Sequence, residues 1–175
     1  HMESLMKKAY RSNIQTIEKT YGLIDSTVIE RVAQEIISCR NIYLFGIGSS
    51  GIVCEDFQHK LLRIGKTSIY YTDTHLQLTA VPNMQKDDLA FFVSYSGKTK
   101  EIVTAAKWAK RVGIKSVAIT QSAYNDLGKL VDMVITIPIE EKELRIGATS
   151  SRLSSLVVID LLYYGVARHD KEETH

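Results

Sequence analysis

Apolar positions along this chain follow two successive rhythms. From Ser4 to Tyr21, the residues Leu5, Ala9, Ile14, Ile17 and Tyr21 form a loose stripe at helical spacing. Thr27-Val-Ile-Glu30 has the form of a capping box, and Ile29, Val32, Ala33, Ile36 and Ile37 then repeat at 3–4 residue intervals as far as Asn41, which predicts an amphipathic helix. From Ile42 the pattern changes to short apolar runs bounded by Gly, Ser and Asp: Ile42-Phe45, Ser68-Tyr71, Leu89-Val93, Ser116-Thr120 and Met133-Ile137. These predict five buried strands. Helical stretches lie between them: Val53, Phe57, Leu61 and Ile64 end at Gly65, and Ile102, Val103, Ala106 and Ala109 end at Gly113. A long helix from about Thr149 to Arg168 closes the chain. Parallel strands need crossovers and must be covered on both faces, so the alternation predicts an α/β fold with three α/β/α layers and a five-stranded parallel sheet.

The sequence divides accordingly. His1-Met2 has the form of an expression-tag remnant, residues 3–24 are a helical lead-in, residues 25–169 form one domain, and 170–175 read as a polar, frayed tail. A length of 175 residues is close to the roughly 150 of a typical single domain. With 45% hydrophobic and 24% charged residues the chain can build its own core, which excludes a disordered segment or a disulfide-stapled miniprotein. The balance of 22 Lys and Arg against 20 Asp and Glu argues against unaided binding to nucleic acid. Cys39 and Cys54, the two cysteines, lie in helical stretches without a CxxC or Cys/His spacing, so both are expected reduced, as in a cytosolic protein, and no metal site is expected. The longest apolar run, Leu156 to Val166, is broken by Asp160 and Gly165 and is too short for a membrane span.

Two loops carry the candidate chemistry. The first strand runs into Gly46-Ile-Gly48-Ser49-Ser50-Gly51 and the third into Ser94-Tyr-Ser96-Gly97-Lys98-Thr99, each followed by a helix. Backbone N–H groups and hydroxyls thereby gather at two helix N-termini, where the dipole favours an anion such as phosphate. In a sheet of order 2-1-3-4-5 the first and third strands are neighbours and both loops border the topological switch point, so one crevice would be lined by both. Gly46-x-Gly48-x-x-Gly51 also fits the dinucleotide fingerprint, with Asp73 placed as a ribose-binding acid at the end of the second strand. The serines within the loop, the second hydroxyl-rich loop and the lack of a second mononucleotide half weigh against that competitor.

Gly46-Ile-Gly48-Ser49-Ser50, Ser94-Tyr-Ser-Gly-Lys-Thr-Lys-Glu101 and Ile119-Thr120 together resemble the sugar isomerase (SIS) domain over about residues 25 to 168. Asn13 to Arg40, Gly147-Ala-Thr-Ser-Ser-Arg-Leu-Ser154 and Val158-Ile-Asp-Leu161 resemble the effector-binding half of RpiR-type bacterial transcription regulators. The resemblance implies a flavodoxin-like sheet that binds a phosphorylated sugar or amino sugar. It places Ser50, Ser94, Ser96 and Thr99 on the phosphate, with Gly48 and Gly97 giving close backbone approach. Such regulators carry an N-terminal helix-turn-helix domain, absent from this sequence, so DNA would be contacted only through that missing domain. Ser49 stands where some sugar-phosphate isomerases of the fold carry a catalytic Lys, and Arg152 aligns with a Glu that others use near the sugar. Enolisation needs a carboxylate, His or Lys over C1 and C2, so both substitutions favour a sensor over a free-standing isomerase, the alternative reading.

Of the other polar residues, His75 lies near the crevice and is the best candidate for a sugar-hydroxyl contact or residual base. Glu143 and Arg145 precede the Ala148-Ser151 segment and are placed to close over a ligand. Glu101 in a first helical turn serves the dipole, while His59 and Lys60 read as solvated helix residues, Lys60 with the reach to touch the ligand. The candidate binding set is thus Gly48, Ser49, Ser50, His75, Ser94, Ser96, Gly97, Thr99, Glu143, Ser150 and Arg152, with no catalytic residue and no cofactor. The lead-in stripe, for which a complete three-layer domain has no evident place, predicts a homodimer or larger assembly.

Overall fold

The computed structural model describes residues 1–140 and 149–173. Helices α1 (Met2–Leu23) and α2 (Ser26–Ser38) lead into β1 (Ile42–Phe45), followed by α3 (Ser49–Arg63), β2 (Ser68–Ile69), α4 (Thr74–Ala80), a 3-10 turn at Val81–Asn83, β3 (Leu89–Val93), α5 (Lys100–Val112), β4 (Lys115–Thr120), β5 (Met133–Thr136) and α6 (Thr149–Glu173). All five strands are parallel, in the order β2-β1-β3-β4-β5. The sheet and order are those expected from the apolar runs.

Side chains alternate between the faces as a strand period of two requires. Leu44, Phe91, Val93, Val117 and Ile119 pack under α2, α3 and α6, against Val32, Ile36, Phe57, Val158 and Leu162. Phe45, Ala90, Phe92 and Ala118 face the other way, onto Ile102, Ala106 and Ala109 of α5. Each layer has an aromatic pair: Phe57 and Phe91 meet at 5.1 Å between centroids, Phe45 and Phe92 at 5.0 Å. β1 and β3 are buried on both faces, which explains their unbroken apolar sequence.

Four local readings are corrected. The cap of α2 is Asp25, whose carboxylate accepts from Thr27 N–H at 2.9 Å, not the box beginning at Thr27. That helix stops at Ser38, where Cys39 turns extended and Arg40 N–H passes to the carbonyl of Asp87. β2 is only two residues long, because past Ile69 the chain leaves the ladder and enters α4, a helix absent from the hydrophobic pattern. At the other end, the residues read as a frayed tail continue α6 to Glu173, supported by an Arg168–Glu172 pair one turn apart.

α1 lies against α6. Thr20 is its one buried residue, and its hydroxyl is 2.8 Å from that of Ser154. Met2, Leu5, Met6, Tyr10, Ile14 and Tyr21 stay exposed, Tyr10 at 68% of its surface. Among the described residues no helix is long and apolar enough to cross a membrane.

Candidate functional site

β1 and β3 are adjacent and in register, Phe45 beside Phe92, so the loops that leave their carboxyl ends emerge side by side. The first turns at Gly48 (φ 61°) into α3; the second turns at Gly97 (φ 66°) into α5. The N-termini of two helices, of 15 and 13 residues, therefore lie side by side at this edge of the sheet, and a small cleft opens beside the first of them. Ser49, Ser50 and Val53 line it from α3, Tyr95 from the second loop, and Ser151, Arg152 and Ser155 from α6. Hydroxyls, helix dipoles and one guanidinium are a donor set for an anion, and no carboxylate lines the cleft among the described residues.

The second loop is braced from within. Ser94, 3% exposed, accepts from Gly97 N–H at 3.1 Å and shares a hydrogen bond with the Thr99 hydroxyl at 3.1 Å. Ser96 accepts from Lys98 N–H at 3.1 Å and keeps its own proton to donate. Thr99 occupies the N-cap position of α5, but its hydroxyl makes no cap bond and turns to Ser94 instead. Asn125 supports the turn from outside, donating to the Thr120 hydroxyl at 2.8 Å and accepting from Gly128 N–H at 2.8 Å, while Leu127 N–H reaches the Gly97 carbonyl at 3.0 Å. Tyr95 extends the bracing toward α6: its phenol accepts from Glu140 N–H at 2.7 Å, and the Glu140 carboxylate accepts from Ser151 N–H at 3.0 Å.

The first loop is packed tightly against α3. A Cβ on Gly46 would stand 2.7 Å from both the Cys54 sulfur and the Ser50 carbonyl. Burial pushes the thiols of Cys54 and Cys39 above their ordinary value, so neither is poised as a nucleophile.

The structure brings together Ser49, Ser50 and Arg152, with Gly48, Ser94, Ser96, Gly97 and Thr99 in the loops that border them. Other candidates fall elsewhere. Ser150 faces a separate groove against α1 with Lys8, Arg11 and Ser154, and its neighbour Ser151 takes the place in the cleft. His75 is exposed in the first turn of α4 and is not in the cleft lining. Glu143 and Arg145 lie outside the described residues. Asp73 caps α4, its Oδ1 accepting from His75 N–H at 2.7 Å and Leu76 N–H at 3.2 Å, a duty that accounts for an acid at this position without a ribose and weakens the dinucleotide reading. Lys60 does not reach the cleft; it joins α3 to α6 through Asp56 and Asp160. Tyr95, Ser151, Ser155 and Asn125 were missed. The 151, 152, 155 spacing marks one helical face, but only the packing of α6 shows which face turns inward.

Comparison with known proteins bears on the family and the fold. The chain is 37% identical over 174 residues to the HTH-type transcriptional regulator YbbH of Bacillus subtilis, and 30% identical over 173 residues to the HTH-type transcriptional regulator RpiR of Escherichia coli K12. Each match takes in 99% of this chain, which spans 62% of the first relative's length and 58% of the second's. Among solved structures, the Vibrio vulnificus NanR protein complexed with ManNAc-6P superposes with a TM-score of 0.89 at 29% identity, over 96% of this chain and 64% of that one. A phosphoheptose isomerase from Francisella tularensis shares the fold alone, with a TM-score of 0.79 at 19% identity over 96% of this chain and 99% of that one. The SIS domain family matches residues 35–164, and with the two loops meeting at the switch point of a 2-1-3-4-5 sheet, the chain belongs to the SIS domain family.

Proposed function

We propose that this chain is the effector-sensing part of an RpiR-type transcription regulator, that it binds a phosphorylated sugar or amino sugar, and that it does so without turning the ligand over. The observation that carries the reading is the junction of the two loops: their hydroxyls and the N-termini of α3 and α5 lie side by side at one edge of the sheet, with Arg152 of α6 beside Ser49 and Ser50 and no carboxylate in that lining among the described residues. Ser50, Ser96 and Thr99 hold the phosphate oxygens, Ser94 holds the second loop in shape, and Arg152 adds charge at the mouth. Neutral hydroxyls and amides at the far end of a sugar bind ground and transition states alike, which lowers a dissociation constant without raising a rate. An isomerase would need a base within about 3 Å of the C2 proton. His75 lies outside the cleft lining, and the family resemblance sets Ser49 where some isomerases of the fold carry a Lys and Arg152 near a Glu that others use. The N-acetylated hexosamine phosphate in the NanR complex supports an amino-sugar phosphate as the ligand class.

In this reading DNA is contacted through a helix-turn-helix domain of the kind the longer relatives' names record. The regulator works as a homodimer through α1, whose exposed Leu5, Met6, Tyr10 and Ile14 are covered by a second copy. Sedimentation at tens of micromolar is expected to give a dimer; a monomer contradicts that assembly.

The experiment that separates sensor from isomerase follows the C1 and C2 protons of a bound sugar phosphate by NMR in deuterated water. No exchange above the uncatalysed background is expected. Exchange at an enzymatic rate, abolished by His75→Ala or Glu143→Gln, would establish the isomerase instead.

A further inference from the structure

β1 loses its neighbour before it reaches the phosphate loop. β2 pairs with it only at Ile42 and Tyr43, and Ile42, Leu44 and Gly46 are the residues whose backbone groups point toward that side, as Ile42 N–H does to the Thr67 carbonyl. Gly46 is buried, so its N–H and C=O need partners that β2 does not provide. They find them in one side chain. The carboxamide of Gln77, 3% exposed in the middle of α4, accepts from Gly46 N–H at 3.2 Å and donates to Gly46 C=O at 2.9 Å and Tyr71 C=O at 2.7 Å. This is the pattern a neighbouring strand would make, reproduced by a residue 31 positions away. α4 is itself held by the Asp73 cap, so Gln77 is presented by a fixed element.

We propose that Gln77 is a positioning residue for anion binding: it completes the ladder at Gly46 and thereby aims Gly48, Ser49 and Ser50 at the phosphate. The inference rests on the phosphate-binding reading of the cleft. Gly46 is the residue at which the strand becomes the loop, and without its two bonds to Gln77 only its packing against Cys54 and Ser50 holds the peptide in place. The first loop then loses the bonds that fix its aim, while the second loop, braced by Ser94 and Asn125, is untouched. A buried polar side chain at this point, where an apolar one would be the simpler choice for the interior, is accounted for by this duty.

The test uses the whole chain, labelled with nitrogen-15 and titrated with inorganic phosphate. In the wild type, the backbone amides of both loops shift together and give one dissociation constant. Gln77→Met, similar in volume but without hydrogen bonds, is expected to raise that constant at least tenfold, with Gly48 to Ser50 no longer responding and Gly97 still shifting. Gln77→Glu keeps the acceptor for Gly46 N–H and loses both donors, so an intermediate loss is expected. A residue with a merely structural duty would lower the melting temperature and leave the constant unchanged where the variant is folded; that result overturns the proposal. Should Gln77→Met fail to fold, hydrogen exchange in the wild type decides: phosphate must slow exchange of the Gly46 amide and of the Gln77 carboxamide, and no slowing overturns it. If the wild type itself ignores phosphate, the functional reading falls and this inference with it; if the wild type binds and folded Gln77→Met binds equally, the inference alone falls.

Discussion

Gly97→Ala should destabilise the protein by about 3 kcal/mol or more, the sum of a backbone cost and a packing cost. A non-glycine residue at a φ of 66° costs roughly 1–2 kcal/mol. Its Cβ would also overlap the Asn125 carboxamide, which cannot swing away without giving up its bonds to Thr120 and Gly128. Each of those contributes about 1 kcal/mol. For a chain of this length the melting point should fall by about 10 °C, since each kcal/mol moves it by roughly 2–4 °C. Chemical denaturation checks the size. A double-mutant cycle with Asn125→Ala checks the cause, because removing the obstructing carboxamide should make the pair cost less than the sum of the single changes. A loss under about 1 kcal/mol would show that the turn tolerates a side chain and that its left-handed geometry is not essential.

Ser96→Ala and Ser50→Ala should each weaken binding of a sugar phosphate at least tenfold with the fold intact. The Ser96 oxygen already accepts from Lys98 N–H, so its proton is the group available to the ligand. Hydrogen bonds to a charged group contribute about 1.5–3 kcal/mol each, and 1.4 kcal/mol is a factor of ten. Ser96→Thr, which keeps the hydroxyl, should retain most of the affinity. The two serines approach one phosphate from neighbouring loops, so the double variant is expected to lose less than the product of the single losses. Calorimetric titration at a temperature where all variants are folded makes the comparison. Unchanged affinity in both would remove the hydroxyls from the site.

The parts of this protein legible from sequence are those in which one residue type repeats under one constraint. Strands buried on both faces must be apolar throughout, so Ile42-Phe45 and Leu89-Val93 stand out, and the glycine and serine loops after them mark the switch point. α4 was illegible for the opposite reason. It is seven residues long, and of its two buried positions one is the polar Gln77, so no apolar stripe records it. The duty of Gln77 is set by where β2 ends, a tertiary fact with no local signature. Asp73 shows the same limit from the other side: its position after the second strand suits a ribose contact and a helix cap equally well, and only the existence of α4 chooses the cap. Ser150 and Ser151 differ by one position on α6, a rotation of about 100°, which sends one toward α1 and the other into the cleft.

The most direct measurement of the central claim is the melting temperature of the wild-type chain with matched pairs of phosphorylated and free sugars, N-acetylmannosamine 6-phosphate and N-acetylmannosamine first among them, and with NAD alongside. A ligand at 100 times its dissociation constant adds about 2.7 kcal/mol to the folded state, a rise of roughly 5–10 °C for a chain of this size. The predicted result is such a rise with at least one phosphorylated sugar and none with its free counterpart at the same concentration. Equal rises from a sugar and its phosphate, or a rise with NAD alone, would contradict it.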